Sequence, residues 1–405
     1  MKTITLKDIR RAKKNIDGIV KETDLVYDYV TSRKFHSNIY LKLENTQIVK
    51  SFKIRGALNA IKNLTPQQMK KGVIAASAGN HAQGVAYSSS QLGIKSVIVM
   101  PSGTPLAKVQ ATMRFGADVV FGPTPFFDDA NKLSQQLAQK NGYTLIPPYD
   151  HPDVIAGQGT IGLEILQQNP KIDLVIVQIG GGGLIGGIAT AIKALKPSCE
   201  IIGVQTENFP DAHDIFKCHP SKCANKYVPC LADGIQVKSP SPTAMGIVKK
   251  YVKDVVTVTN REIEKAILWL AEKAKIVAEG AGAVGMAAIL ARKINVINRN
   301  VAIIVSGGNI DIDKFLHTCF NAIKYDNRRT NFTFWSTPKN YKLIVDTLPG
   351  VNGRLYGANS EHDLSLKDKL PKGWVTLDIY TTSAKRTKEF FNKLSEENIK
   401  YKINK

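Results

Sequence analysis

The chain is predicted to be an α/β protein with two parallel-sheet domains followed by a small α+β domain. Three observations carry this. From about residue 53 to 325, short apolar runs ending in turn residues alternate with stretches of helical periodicity, the pattern of parallel sheets covered on both faces. There are too many units for one sheet, and PPYDHP at 147–152 interrupts them. After about residue 330 the pattern becomes one of half-buried strands around a single helix. A length of 405 residues suits two or three domains.

In chain order, Leu6, Ile9, Ala12 and Ile16 recur at helical spacing. The basic start, with Arg10, Arg11, Lys13 and Lys14, therefore reads as a folded helix rather than a transit peptide. It also lacks the apolar core of a secretory signal. Ile54, Ala57, Leu58 and Ile61 predict a helix, and Ile161, Leu163, Ile165 and Leu166 a second. Strands are expected at 73–76, 97–100, 118–121, 174–179, 200–205 and 301–305. Residues 207–245 read as a long polar loop, functional or inserted. Beyond 330, residues 341–346 and 374–381 alternate as antiparallel strands, 385–397 as an amphipathic helix, and Ile399, Tyr401 and Ile403 alternate again. The stretch 351–373 is tight for a further helix and strand, so a ferredoxin-like unit would be shortened.

Composition excludes several classes. The five cysteines (Cys199, Cys218, Cys223, Cys230, Cys319) are odd in number and sparse, which argues against a disulfide framework and for a reducing compartment. Three of them lie near His213 and His219 without the tight pairs of a zinc site, so no metal is expected there. The net charge of +21 is scattered and lacks an aromatic-interleaved stripe, so it reads as a solvated basic surface rather than a nucleic-acid footprint. No apolar run is long enough to cross a bilayer.

Four local motifs carry chemistry. Ser51 is a suitable N-cap and would place Lys53 in the first helical turn, where the positive helix end and burial lower an amine's pKa. A neutral lysine can bond an aldehyde, although an ordinary exposed lysine is the plain alternative. Strand 73–76 runs into Ser77-Ala78-Gly79-Asn80-His81, a turn whose amides and side chains suit a carboxylate, or else a capped structural turn. Gly180, Gly181, Gly182 and Gly183 follow a strand and let several amides face one phosphate. Neither P-loop nor dinucleotide spacing accompanies them. Ser306, in Ser306-Gly307-Gly308-Asn309, could bond a ring nitrogen or simply close a strand-end turn. Together the four imply pyridoxal phosphate.

The set resembles the fold-type-II pyridoxal-phosphate enzymes, those with a tryptophan synthase β-like fold, and within them the threonine (serine) dehydratases. The resemblance rests on Ser51 to Ala57, Ser77 to Gly84, Ala156-Gly157-Gln158-Gly159-Thr160, Gly180 to Leu184, Glu279-Gly280-Ala281-Gly282 and Ser306 to Asn309, over roughly residues 5–325. It implies a catalytic region at 1–325, with a smaller subdomain at about 44–150 and a larger one from 1–43 and 151–325. It implies that Lys53 holds the cofactor and removes the α-proton. Phe52 would pack on the ring, Asn80 bond its hydroxyl, Gly180 to Gly183 and Leu184 bind its phosphate, and Ser306 meet its nitrogen. Ser77, His81 and Gln158 are weaker candidates for the substrate carboxylate. The implied reaction takes L-threonine to 2-oxobutanoate and ammonia, and L-serine to pyruvate, in a cytoplasmic homo-oligomer, dimer or tetramer.

Departures qualify the resemblance. Cysteine-forming relatives carry an acid after the lysine, where Ile54 stands here. Serine racemases place a serine at the position of Ala78, so elimination is expected over racemisation. Gln178 replaces a usual proline, and Gln205 stands where cation-binding relatives have an acid, with Glu207 two residues on. Residues 330–405 resemble an ACT-like regulatory domain, which implies feedback by isoleucine or valine. The alternatives are a racemase-like enzyme or a silent amino-acid sensor.

Overall fold

A computed structural model describes residues 4–219, 229–360 and 373–404; Cys223 lies outside them. The chain divides into two compact units, 1–315 and 316–405. Its strands are β1 Leu25–Tyr27, β2 Asn38–Lys42, β3 Val73–Ala76, β4 Ser96–Met100, β5 Asp118–Phe121, β6 Thr144–Leu145, β7 Leu174–Gln178, β8 Glu200–Thr206, β9 Asp254–Val258, β10 Asn300–Ile304, β11 Arg329–Ser336, β12 Arg354–Ser360, β13 Gly373–Tyr380 and β14 Tyr401–Ile403.

The first unit holds two sheets. The larger has the order β1-β2-β10-β7-β8-β9, all parallel except the β1–β2 pair, and the smaller is β5-β4-β3-β6, parallel throughout. Every residue of β3, β4 and β7 is buried, as a strand covered on both faces requires. Helix Leu6–Ile16 starts at a Thr5–Asp8 capping box and buries Ile9, Ala12 and Ile16. Ile9 and Ala12 join the core of the larger sheet, beside Ile155 and Ile188. Strands β1, β2, β6 and β9 escaped the sequence pattern because they are short or carry charge, as with the fully buried Lys42 in β2. The expected loop at 207–245 contains helix Asp211–Lys217, a 3-10 turn at Asp233–Ile235 and the start of helix Pro242–Tyr251.

The second unit corrects a strand assignment. Residues 341–346 belong to helix Pro338–Gly350, capped by Thr337, and the first strand is β11. YKLIVD alternates at period two, but the core is reached at period four through Ile344 and Leu348. The element order is therefore β11, helix, β12, β13, helix Ala384–Glu396, β14, a complete βαββαβ set without the expected shortening. Its antiparallel sheet, in the order β12-β13-β11-β14, buries Phe332, Phe334, Leu377, Phe390 and Leu394. No described helix is long and apolar enough to cross a membrane. The described residues hold no group of three or more potential metal-ligating side chains.

Candidate active site

Lys53 opens helix Lys53–Lys62, but Ser51 does not cap it. The capping position is Phe52, without a side-chain bond. Ser51 instead forms a β-bridge with Gly307, and its buried hydroxyl has no partner. The Phe52 amide donates to Ser306 O at 3.1 Å and the Gly308 amide to Lys50 O at 2.9 Å. Backbone pairing with the turn after β10 thus sets the helix start. Lys53 Nζ donates to Pro148 O at 2.8 Å and lies 5.4 Å from the centre of the Phe52 ring. The residue keeps some access to solvent, yet its ammonium is ringed by protein. That burial lowers its pKa from the usual 10.5 to about 8, against an opposing pull from Glu279.

The Asn80 turn lies directly against this helix start. A Cβ on Gly84 would fall 3.2 Å from the Ile54 amide, so glycine eases a close approach of the two helices. Ser77 Oγ accepts from the Gly79 amide, and Gly79, not Asn80, is the cap of helix Asn80–Gln91. Asn80 Nδ2 donates to Glu279 Oε1 at 2.7 Å. Two expected carboxylate ligands are placed otherwise. His81 Nε2 meets Ile146 O at 2.8 Å, so that nitrogen carries the proton and buried Nδ1 is an unpartnered acceptor. Burial and the charge of Lys53 hold the ring neutral, with a pKa of about 3. A neutral imidazole whose single N–H is already engaged does not suit a carboxylate. Gln158 braces the helix interface, its Oε1 accepting from the Gly56 amide at 3.2 Å.

The glycine run links β7 to helix Gly183–Leu195, where Leu184 joins the first turn. The amides of Gly180, Gly181 and Gly182 donate to no backbone carbonyl of the described residues. Together with the first turn of the helix they make an anion-binding end. Gly182 has φ +90°, and a Cβ on Gly181 would lie 2.2 Å from the Tyr149 ring. Gly181→Ala is therefore expected to displace Tyr149 and to cost about 1–3 kcal/mol in urea unfolding. Gln178, in place of proline, ties the strand end to its surroundings by donating to Ala281 O and Ile304 O, each at 3.2 Å.

Glu279, noted in the sequence only as part of a motif, was given no role there. It caps helix Gly280–Leu290, and an acid heading so apolar a helix (GAGAVGMAAIL) was the available signal. Its carboxyl is buried and titrates at about 7 rather than 4.5, raised first by burial and then by Asp233. Between about 4.5 and 7 the folded protein binds the proton that the unfolded chain has released. Stability from this group is therefore full below 4.5 and lost as pH rises through about 7. Lys53 acts in the opposite sense: across about 8 to 10.5 the unfolded chain holds more protons, so stability rises with pH. In urea titrations across pH, Glu279→Gln should remove the fall between 4.5 and 7 and leave the rise above 8.

Ser306 is buried just past the end of β10. An amine of lowered pKa, helix-start amides without backbone acceptors, a buried hydroxyl and an oriented amide donor thus gather at strand carboxyl ends. This set fits a phosphorylated aldehyde on a nitrogen ring.

Comparison with known proteins agrees with the fit. Residues 16–307 match the family described as pyridoxal-phosphate dependent enzyme. The chain is 47% identical over 311 residues to the L-threonine ammonia-lyase of Thermotoga maritima, covering 76% of this chain and 77% of that protein. The processed form of threonine deaminase isoform 2 from Solanum lycopersicum superposes with a TM-score of 0.73 at 37% identity, over 78% of this chain and 87% of that one. Maize serine racemase superposes with a TM-score of 0.74 at 30% identity, over 80% and 100%.

Proposed function

The chain belongs to the pyridoxal-phosphate-dependent enzymes, and on that premise we infer that it deaminates L-threonine to 2-oxobutanoate and ammonia, with L-serine to pyruvate as a secondary reaction. The observation that carries this is Lys53, a buried amine with its pKa lowered to about 8, in the same unit as helix-start glycine amides that lack backbone acceptors. Lys53 Nζ would hold the cofactor aldehyde. The amides of Gly180 to Gly183 and Leu184 would hold its phosphate, and the Ser306 hydroxyl its ring nitrogen. Asn80 would serve the ring hydroxyl, and Phe52 the ring face. When bound, the cofactor supplies an electron sink for the pair left at Cα.

The protein's own groups supply the rest. Lys53 Nζ, once neutral, takes the α-proton. Ser77 and the amides opening helix Asn80–Gln91 hold the substrate carboxylate, an anion at a helix N-terminus. Ala78 has a methyl group where racemisation would need a second acid–base group, which favours elimination. Purified protein supplied with cofactor should release ammonia and 2-oxobutanoate from L-threonine. Serine racemisation without ammonia release from threonine would overturn the reading. For the second unit, the βαββαβ order supports an ACT-like regulatory domain. Activity of the whole chain that is indifferent to isoleucine and valine would count against it.

A further inference from the structure

The Ser306-Gly307-Gly308-Asn309 turn ends in a side chain that the functional reading leaves unused. Asn309 Nδ2 donates to Val49 O at 2.9 Å and to Asn80 Oδ1 at 2.7 Å. A main-chain carbonyl can only accept, so the atom facing Val49 must be the amide nitrogen of Asn309. The Asn80 atom facing that nitrogen must then be its oxygen. This settles the Asn80 amide in one of its two orientations and turns Nδ2, with both its protons, toward Glu279 Oε1 at 2.7 Å. The Asn309 main-chain amide also favours the charged form of the Glu279 carboxyl. One residue therefore holds Asn80 directly and bears on the charge of Glu279. The turn leaves no slack, because a Cβ on Gly307 would lie 2.4 Å from Glu279 Oε1 and 3.2 Å from Asn80 Nδ2.

We propose that Asn309 is a positioning residue: through Asn80 it fixes which hydrogen-bonding group faces Glu279 and the cofactor site. Without it, Asn80 is free to present oxygen in place of nitrogen. A carboxylate gains from a donor and loses from an acceptor, whereas a protonated carboxyl can donate to that acceptor. Losing Asn309 thus favours the protonated form of Glu279. The other charges around Glu279 are Lys53 from helix Lys53–Lys62, Lys108 from helix Leu106–Met113, and Asp233 from the 3-10 turn, itself paired to Lys108 and Lys314. None of these is altered by a change at Asn309.

The consequence for catalysis rests on the functional reading, but the orientation claim can be tested without turnover. The carbonyl stretch of protonated Glu279, identified by its loss in Glu279→Gln, is followed by infrared titration of cofactor-free protein. In wild type it should disappear with a midpoint near 7. Asn309→Leu, of similar shape but without donors, should raise the midpoint by roughly one pH unit. Asn309→Ala should do the same and serves if the leucine variant does not fold. Asn80→Ala should give a similar rise, and the double variant no further rise. A midpoint unmoved by Asn309 replacement, or additive shifts in the double variant, would overturn the proposal. Absence of ammonia release by wild type would instead strike at the functional reading and leave the titration result standing.

Discussion

Lys53→Ala is expected to abolish ammonia release from L-threonine, with kcat falling at least about a thousandfold. The replacement removes the amine that would bond the aldehyde and the base that would take the α-proton, and no neighbour can substitute. His81 is held neutral with its N–H committed to Ile146 O, and Glu279 is engaged by Asn80. The visible absorbance gained when wild type takes up cofactor should be lost as well. Folding should survive, because the variant forfeits one hydrogen bond to Pro148 O but also the cost of burying an ammonium. The two nearly cancel, so the change in urea stability should stay within about 1 kcal/mol. Residual turnover above a tenth of wild type would show that Lys53 is neither the base nor the anchor.

The largest expected loss of stability lies two residues further on. Arg55 is fully buried and bonds Glu44 through Nε and Nη2, each at 2.8 Å. It bonds Glu164 through Nη1 at 2.6 Å and Nη2 at 2.8 Å, and Thr160 Oγ1 at 3.1 Å. Lys42, also buried, completes the cluster by donating to Glu164 Oε2 at 2.7 Å and Thr23 O at 2.6 Å. The cluster joins the Lys53 helix to the Glu44–Thr46 turn, to β2 and to helix Pro152–Gln168. Burial favours the protonated form of Glu164, but Arg55 and Lys42 together outweigh it and hold the group below the usual carboxylate range. Arg55→Ala would strand two carboxylates against a single buried lysine. The expected cost is about 3–5 kcal/mol in urea unfolding. Lys62→Ala, at the far end of the same helix, should cost less than about 0.5 kcal/mol. Equal effects at the two positions would mean that the cluster contributes no more than an exposed ion pair.

Much of the site was readable because its chemistry is local in sequence. A glycine run after an apolar strand, a lysine opening an amphipathic helix and polar turns after strands announce themselves within a few residues. The six expected strands of the first unit all formed; β3, β4 and β7 are buried at every position, and a strand covered on both faces is apolar along its length. Errors arose where two periods fit one stretch. YKLIVD satisfied both, and only contact with the core through Ile344 and Leu348 chose the helix. The Ser51 cap failed for a different reason: Ser51 pairs with the backbone of Gly307, far along the chain, and the capping position falls on Phe52.

The sequence by itself pointed to the kind of chemistry: an amine suited to an aldehyde, amides suited to a phosphate and, through the resemblance, Ala78 where serine racemases carry a serine. Tertiary structure alone decided which groups are charged and which way they face. Asn80 and Glu279 are 199 positions apart, yet they share a hydrogen bond whose polarity Asn309 sets. Lys53 titrates at about 8, Glu279 at about 7 and His81 at about 3, all moved chiefly by desolvation. The physical reason is that desolvation depends on everything folded around a group. Residue type and spacing describe the chain only along its length, while a pKa or an amide orientation is set by neighbours that approach from elsewhere.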